Sequence, residues 1–296
     1  MKKISIYHVD AFTSVAFGGN PAGVVPDANN LTSEMMQKIA KEVNLSETAF
    51  LQTSENSHAA DFRIRYFSPT NEIDFCGHAT LATTWILLTE LGYNNRSSIT
   101  LETNVGLIEM ELSSEGIMMT QLSPKLKEIN SDLEHIVELV GLRIDDIDQR
   151  FACKLSYTGN WHLLVPVKTK EAVDRAKPNF EFLSQHNQMN NICTTHLFTF
   201  DSQEEGCLLY TRDFAPAVGI LEDPVTGSAN GALAGYLYLE GIVPSDRDYK
   251  FTIAQGHKLG RPGYVKVEIL QGSESAKFKI GGKAVTTIAG IFQIPL

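Results

Sequence analysis

Four side chains in this 296-residue sequence have the types and settings to handle a proton or an anion: Glu47 in "NLSETAFL", His78 in "CGHAT", and Asp223 and Ser228 in "EDPVTGSA". His78 and Ser228 each follow a glycine, Gly77 and Gly227, at the start of an apolar run with helical character. A helix N-terminus presents unpaired N–H groups and a partial positive charge, so it binds carboxylates, phosphates or developing oxyanions. The glycines let a ligand approach the backbone. Glu47 has apolar neighbours, Leu45, Ala49, Phe50 and Leu51, which predict a partly buried strand. An unpaired carboxylate there would need a raised pKa, which suits a general acid/base near neutral pH. Asp223 precedes the second helix and is placed to orient an amine or a histidine. Plainer readings exist for each: a core or capping imidazole, an N-cap serine, a turn aspartate before Pro224, a surface glutamate.

The elements that must position these groups occur twice. "YFSPTNEIDFCGHATLATTWIL" matches "DFAPAVGILEDPVTGSANGALAGYL", pairing Phe67 with Phe214, Pro69 with Pro216, Gly77 with Gly227 and His78 with Ser228. "GGNPAGVVP" parallels "TGNWHLLVP", "NLSETAFL" parallels "NICTTHLF", and the offsets run 140, 147 and 150. Each helix stops at a glycine, Gly92 or Gly241, as a left-handed C-cap requires. Ordered blocks at nearly one offset point to two homologous α/β halves. The expected fold is α+β: two pseudo-symmetric domains, each a mostly antiparallel or mixed sheet wrapped around a central helix. The expected boundaries are 1–120, completed by 283–296, and 121–282. If the halves pack about a pseudo-twofold axis, both helix starts face one interdomain cleft, and that placement favours the functional readings of His78 and Ser228. The halves differ where Glu47 meets Thr194, so one carboxylate enters from that pair. Asp74, the first-half counterpart of Asp223, reads as structural.

A net charge of -10 offers no basic footprint for nucleic acid or an anionic membrane surface. No apolar stretch reaches membrane-spanning length, and the opening run is cut by Asp10, so a cytoplasmic protein is expected. The cysteines, Cys76, Cys153, Cys193 and Cys207, are too dispersed for a disulfide framework. No GxGxxG or GxxxxGK[ST] signature opens a helix after a strand. Only Cys76 and His78 are close enough in sequence to suggest a metal, and that pair alone assigns none.

The blocks "VDAFTSVAFGGNPAGVV", "NLSETAFL", "RYFSPTNEIDFCGHATLAT", "TRDFAPAVGILEDPVTGSANGALAGYL" and "QGHKLGRPG" resemble the PhzF-like phenazine biosynthesis family, within the diaminopimelate epimerase fold. The resemblance implies a cofactor-free isomerase with Glu47 as proton shuttle and His78, Asp223 and Ser228 lining the site. Asn20, Cys76, Gly77, Thr226 and Gly227 would contact a small anionic substrate, and the chain would form a homodimer. Epimerase relatives use two facing thiols, each just before a helix-start glycine. Here Cys76 fills one such position and Thr226 the other, which disfavours a two-thiol racemase. The rival readings are an epimerase using Cys76 with a different second base, and a small-acid binding protein without catalysis.

Overall fold

The computed structural model describes residues 2–55, 58–113, 116–273 and 275–294. It divides into two compact units, Met1–Thr120 with Gly281–Leu296, and Gln121–Ile280. Among the described residues no helix is long and apolar enough to cross a membrane.

The first unit runs β1 (Lys2–Ala11), β2 (Asn20–Val25), α1 (Ser33–Val43), β3 (Thr48–Thr53), β4 (Phe62–Phe67), β5 (Glu72–Ile73), α2 (Gly77–Thr89), β6 (Ser98–Thr103), β7 (Gly106–Ser113) and β8 (Gly116–Thr120). The chain's final strand, Ala284–Ile294, returns to pair antiparallel with β1, from Lys2 opposite Ile294 to Ala11 opposite Ala284. The ladder is mixed: β2 and β3 run parallel, β3 and β4 antiparallel, β4 and β6 parallel, and β6 and β7 antiparallel.

Local chemistry explains both helices. The Thr32 hydroxyl accepts from the Met35 amide at the start of α1, and the helix buries Met36, Ile39 and Ala40 against Phe50 and Phe67. It ends at Asn44 in left-handed backbone, φ 55°. By contrast, α2 buries His78 through Thr84 and then Ile86 and Leu87 on every side, as a central helix must. It packs on β1, β2, β3, β8 and the final strand. Its threonines cause no burial penalty because Thr80, Thr83 and Thr84 donate to the carbonyls of Cys76, Ala79 and Thr80, at 2.7, 2.8 and 2.9 Å.

The second unit comprises β9 (Lys125–Lys127), α3 (Leu133–Leu139), β10 (Lys154–Tyr157), β11 (Trp161–Pro166), α4 (Lys170–Arg175), α5 (Phe180–Met189), β12 (Thr194–Thr199), β13 (Leu209–Ala215), β14 (Ile220–Asp223), α6 (Gly227–Leu239), β15 (Tyr249–Gln255) and β16 (Gly263–Leu270). β17 (Lys277–Gly282) then leads back to the final strand, β18. Its central helix is α6, buried at Gly227 and from Ala229 to Leu237, and packed on β9, β10, β11 and β16.

The two units share one topology. β11 and β12 are parallel, β12 and β13 antiparallel, β13 and β15 parallel, and β15 and β16 antiparallel. Registers correspond as well: Thr48 pairs with Phe67 and Thr195 with Phe214, while Phe62 pairs with Leu101 and Leu209 with Ile253. Even the special backbone recurs, since Asn191 after α5 sits at φ 54°, as Asn44 does after α1. Gly92 and Gly241, just past the two central helices, are both left-handed.

Candidate active site

In the first unit the left-handed turn at Asn44 ends α1 and leads to Glu47, immediately before β3. The Gly23 amide donates to the Glu47 carbonyl at 3.0 Å, which ties this residue to β2. Glu47 therefore sits at the strand entry. Cys76 occupies the N-cap position of α2 with extended backbone and no side-chain capping bond, and His78 is the second helical residue. His78 Nε2 lies 3.2 Å from Glu47 Oε2, and Cys76 Sγ lies 3.4 Å from His78 Nδ1. The His78–Glu47 contact has ion-pair distance without hydrogen-bond alignment, so Oε2 is buried and lacks an aligned donor. An acceptor lone pair thus remains for a proton from elsewhere.

The electrostatics reverse the expectation of a raised carboxyl pKa. Burial does push the Glu47 carboxyl up, but the His78 ring, with smaller help from Ser46 and Cys76, outweighs it and holds Glu47 below the usual carboxylate value. Burial pushes His78 down, yet the Cys76 sulfur and the Glu47 carboxylate together hold it well above an ordinary histidine. The Cys76 thiol itself is pushed up, chiefly by burial. At neutral pH Glu47 is therefore a carboxylate held against the His78 ring. Glu47 is thus a resting base rather than a resting acid.

The start of α6 in the second unit is built on a different polar network. Thr226 holds the N-cap position, again extended and without a side-chain capping bond. Its hydroxyl lies 3.0 Å from Asp213 Oδ2 and 2.6 Å from Asp223 Oδ2, so one hydroxyl links two carboxylates. Gln255 receives the Thr226 amide at 3.1 Å and donates to the Asp223 carbonyl at 3.0 Å. Behind this, the fully buried Asp213 meets His196 Nδ1 at 2.9 Å and accepts from the Thr194 hydroxyl at 2.6 Å. His162 Nδ1 lies 2.8 Å from that same hydroxyl, and His196 Nε2 lies 3.2 Å from Asn230 Oδ1. The ladder positions explain the contrast between units: where His196 pairs with Asp213, the first unit pairs Ala49 with Tyr66, whose hydroxyl meets Thr80 at 2.6 Å.

A family model described as phenazine biosynthesis-like protein, PhzC-PhzF, matches residues 9–290. The chain belongs to this family. It is 33% identical over 293 residues to an uncharacterized isomerase of Clostridium acetobutylicum, covering 96% of each chain. A crystal structure of a Bacillus anthracis phenazine biosynthesis protein of the PhzF family superposes with a TM-score of 0.92 at 34% identity, covering 99% of this chain and 100% of the other. A hydroxyproline epimerase from Agrobacterium vitis, solved with bound trans-4-hydroxy-L-proline, shares the fold with a TM-score of 0.66 at 14% identity, over 99% of this chain and 91% of that one. The chain is an isomerase or epimerase of the PhzF type.

For a PhzF-family chain, the predicted residues fall as follows. Glu47, Cys76, Gly77 and His78 come together in the first unit, and Asp223, Thr226, Gly227 and Ser228 come together at the start of α6. Asn20 is buried at the start of β2, opposite Ala11. Ser228 is the second helical residue, not the N-cap. Sequence reasoning missed Asp213, His196, His162, Asn230 and Gln255. Their signal was polar residues inside otherwise apolar strands, as in "WHLLVP" and "THLFTF".

Proposed function

We propose that the chain is a cofactor-independent isomerase that moves a proton on a small carboxylic or amino-acid-type substrate, with Glu47 as the acid/base. The observation that carries this reading is the buried Glu47 Oε2, ionised by its pairing with His78 yet without an aligned donor. The carboxylate takes a proton from a substrate carbon and returns it to another position, while His78 keeps the carboxylate charged and oriented. Asp223 and Ser228, matching the family motif, bind the polar groups of the substrate. Thr226 in place of a second thiol, with its hydroxyl engaged by Asp213 and Asp223, argues against a two-thiol epimerase. The homodimer and the cytoplasmic location belong to this proposal through family resemblance, and sedimentation at micromolar concentration tests the dimer.

Incubating the protein with a panel of small amino, hydroxy and cyclic acids in deuterated water tests the reaction. Deuterium entering a substrate carbon is expected with the wild type. In Glu47→Gln, which keeps shape but not the titrating group, exchange should fall by about a hundredfold or more while binding persists. Near-normal exchange in that variant would move the assignment to His78 or Asp223. Binding without any exchange in the wild type would favour the non-catalytic reading, and full activity of Cys76→Ala removes the thiol-based epimerase.

A further inference from the structure

Glu47, Cys76 and His78 bring together three different donor atoms that all lie within 4.8 Å of one another. The groups reach this arrangement from two places in the chain: Glu47 from the entry to β3, Cys76 and His78 from the first turn of α2. Nε2 is 3.2 Å from the Glu47 oxygen and 3.9 Å from the Cys76 sulfur, which lies 3.4 Å from Nδ1. A tetrahedral cation with bonds of about 2.0 Å to nitrogen and oxygen and about 2.3 Å to sulfur sets its donors roughly 3.3–3.6 Å apart. The two separations from Nε2 bracket that spacing, and all three donors lie within 4.8 Å of one another, so side-chain rotation is what a bound ion would require. The buried Oε2, which lacks an aligned donor, is one of the three donor atoms.

The donor types narrow the ion. A thiolate beside an imidazole and one carboxylate suits a borderline-soft divalent metal, whereas magnesium and calcium demand more oxygen donors than this cluster holds. Three protein ligands leave a fourth position for water. The Cys76 sulfur stands at the N-terminal end of a 13-residue helix, and a bound cation would itself supply the positive charge that the thiolate requires.

We propose that Glu47, Cys76 and His78 form a binding site for a thiophilic divalent cation, Zn2+ foremost, and that the bound ion shuts off proton transfer by occupying these groups. Binding forms bonds from the metal to Sγ, Nε2 and Oε2. It releases to solvent the protons that Cys76 Sγ and His78 Nε2 carry. No change of oxidation state is involved. Coordination needs only the geometry of the cluster, so it holds whether or not Glu47 moves a substrate proton.

The test is a titration of the full-length, chelator-stripped protein with Co2+, followed by displacement with Zn2+. A saturable, one-to-one rise of a thiolate-to-cobalt charge-transfer band, with the visible bands of tetrahedral cobalt, is expected. Cys76→Ser should abolish the charge-transfer band although Cys153, Cys193 and Cys207 are retained. Glu47→Gln and His78→Ala should each weaken Zn2+ binding by at least about tenfold, the loss that even an outer-shell change inflicts on a metal site. Circular dichroism confirms folding, and the three variants probe two separate places in the chain, so one poorly folded variant leaves two readings. A band of equal intensity in Cys76→Ser, unchanged Zn2+ affinity in the folded variants, or no saturable binding in the wild type overturns the proposal. Failure of the proton-transfer reading would leave the cobalt spectrum unaltered, which separates the two.

Discussion

His78 and Glu47 stand 3.2 Å apart, and this contact decides the sign of the Glu47 shift, while the Cys76 sulfur and Glu47 together decide that of His78. Burial alone would drive Glu47 up and His78 down, and the Glu47–Cys76–His78 cluster reverses both directions. The contribution of Glu47 to stability is present above its ordinary value of 4.5 and lost as pH falls through its lowered folded value. That of His78 is full below 6.5 and lost as pH rises through its raised folded value. The pair therefore stabilises most between those limits.

Replacing His78 with Gln should shift the acid limb of the pH–rate profile upward. Without the ring, burial becomes the dominant influence on Glu47, and the carboxyl rises above 4.5 instead of lying below it. Rate profiles of wild type and His78→Gln on a converted substrate measure this. An unmoved acid limb would show that another group titrates there.

Asp213→Asn should destabilise the second unit strongly. Asp213 and His196 are both fully buried, and Asp213 also receives the Thr194 hydroxyl and meets Thr226. Replacing one carboxylate oxygen by an amide group leaves a buried donor of this network without its acceptor, which costs about 1–3 kcal/mol. Urea unfolding reads the loss. A change below about 1 kcal/mol would mean that the network tolerates a neutral amide.

His162 should make the fold acid-sensitive. Its Nδ1 faces the Thr194 hydroxyl, which itself donates to Asp213, so Nδ1 carries the ring proton and the buried Nε2 has no partner. Burial, reinforced by His196 and opposed by Asp213, lowers its pKa to about 4. The unfolded chain binds a proton near 6.5 that the native state refuses, so stability falls as pH drops from 6.5 towards 4, by up to roughly 3 kcal/mol. His162→Asn should lose less stability than the wild type over this interval. Parallel curves for the two proteins would contradict the assignment.

Gly235→Ala should destabilise, against the general helix preference for alanine. An added Cβ would sit 2.4 Å from the Pro124 Cβ, a clash with a ring that cannot rotate away. Overpacking of this kind costs about 1–3 kcal/mol, which outweighs the roughly 1 kcal/mol gained from helix propensity. Thermal melting distinguishes the signs, and a raised melting temperature would show that β9 shifts freely.

The sequence alone determined whatever depends on neighbours along the chain. Left-handed backbone at Asn44, Gly92 and Gly241, the helix starts at Gly77 and Gly227, and the apolar run of each central helix follow from local turn chemistry and composition. The family motif likewise lies in contiguous residues, which made Glu47, His78, Asp223 and Ser228 legible as candidates. Tertiary structure decided what depends on strand register. His162, His196, Asp213 and Gln255 come from four different strands, and only the ladder brings them to the start of α6. It also decided the direction of the Glu47 shift. A sequence shows an acid among apolar neighbours and so implies a raised pKa, but Coulomb energy depends on distance, and His78, 31 positions away in the chain, comes within 3.2 Å only after folding.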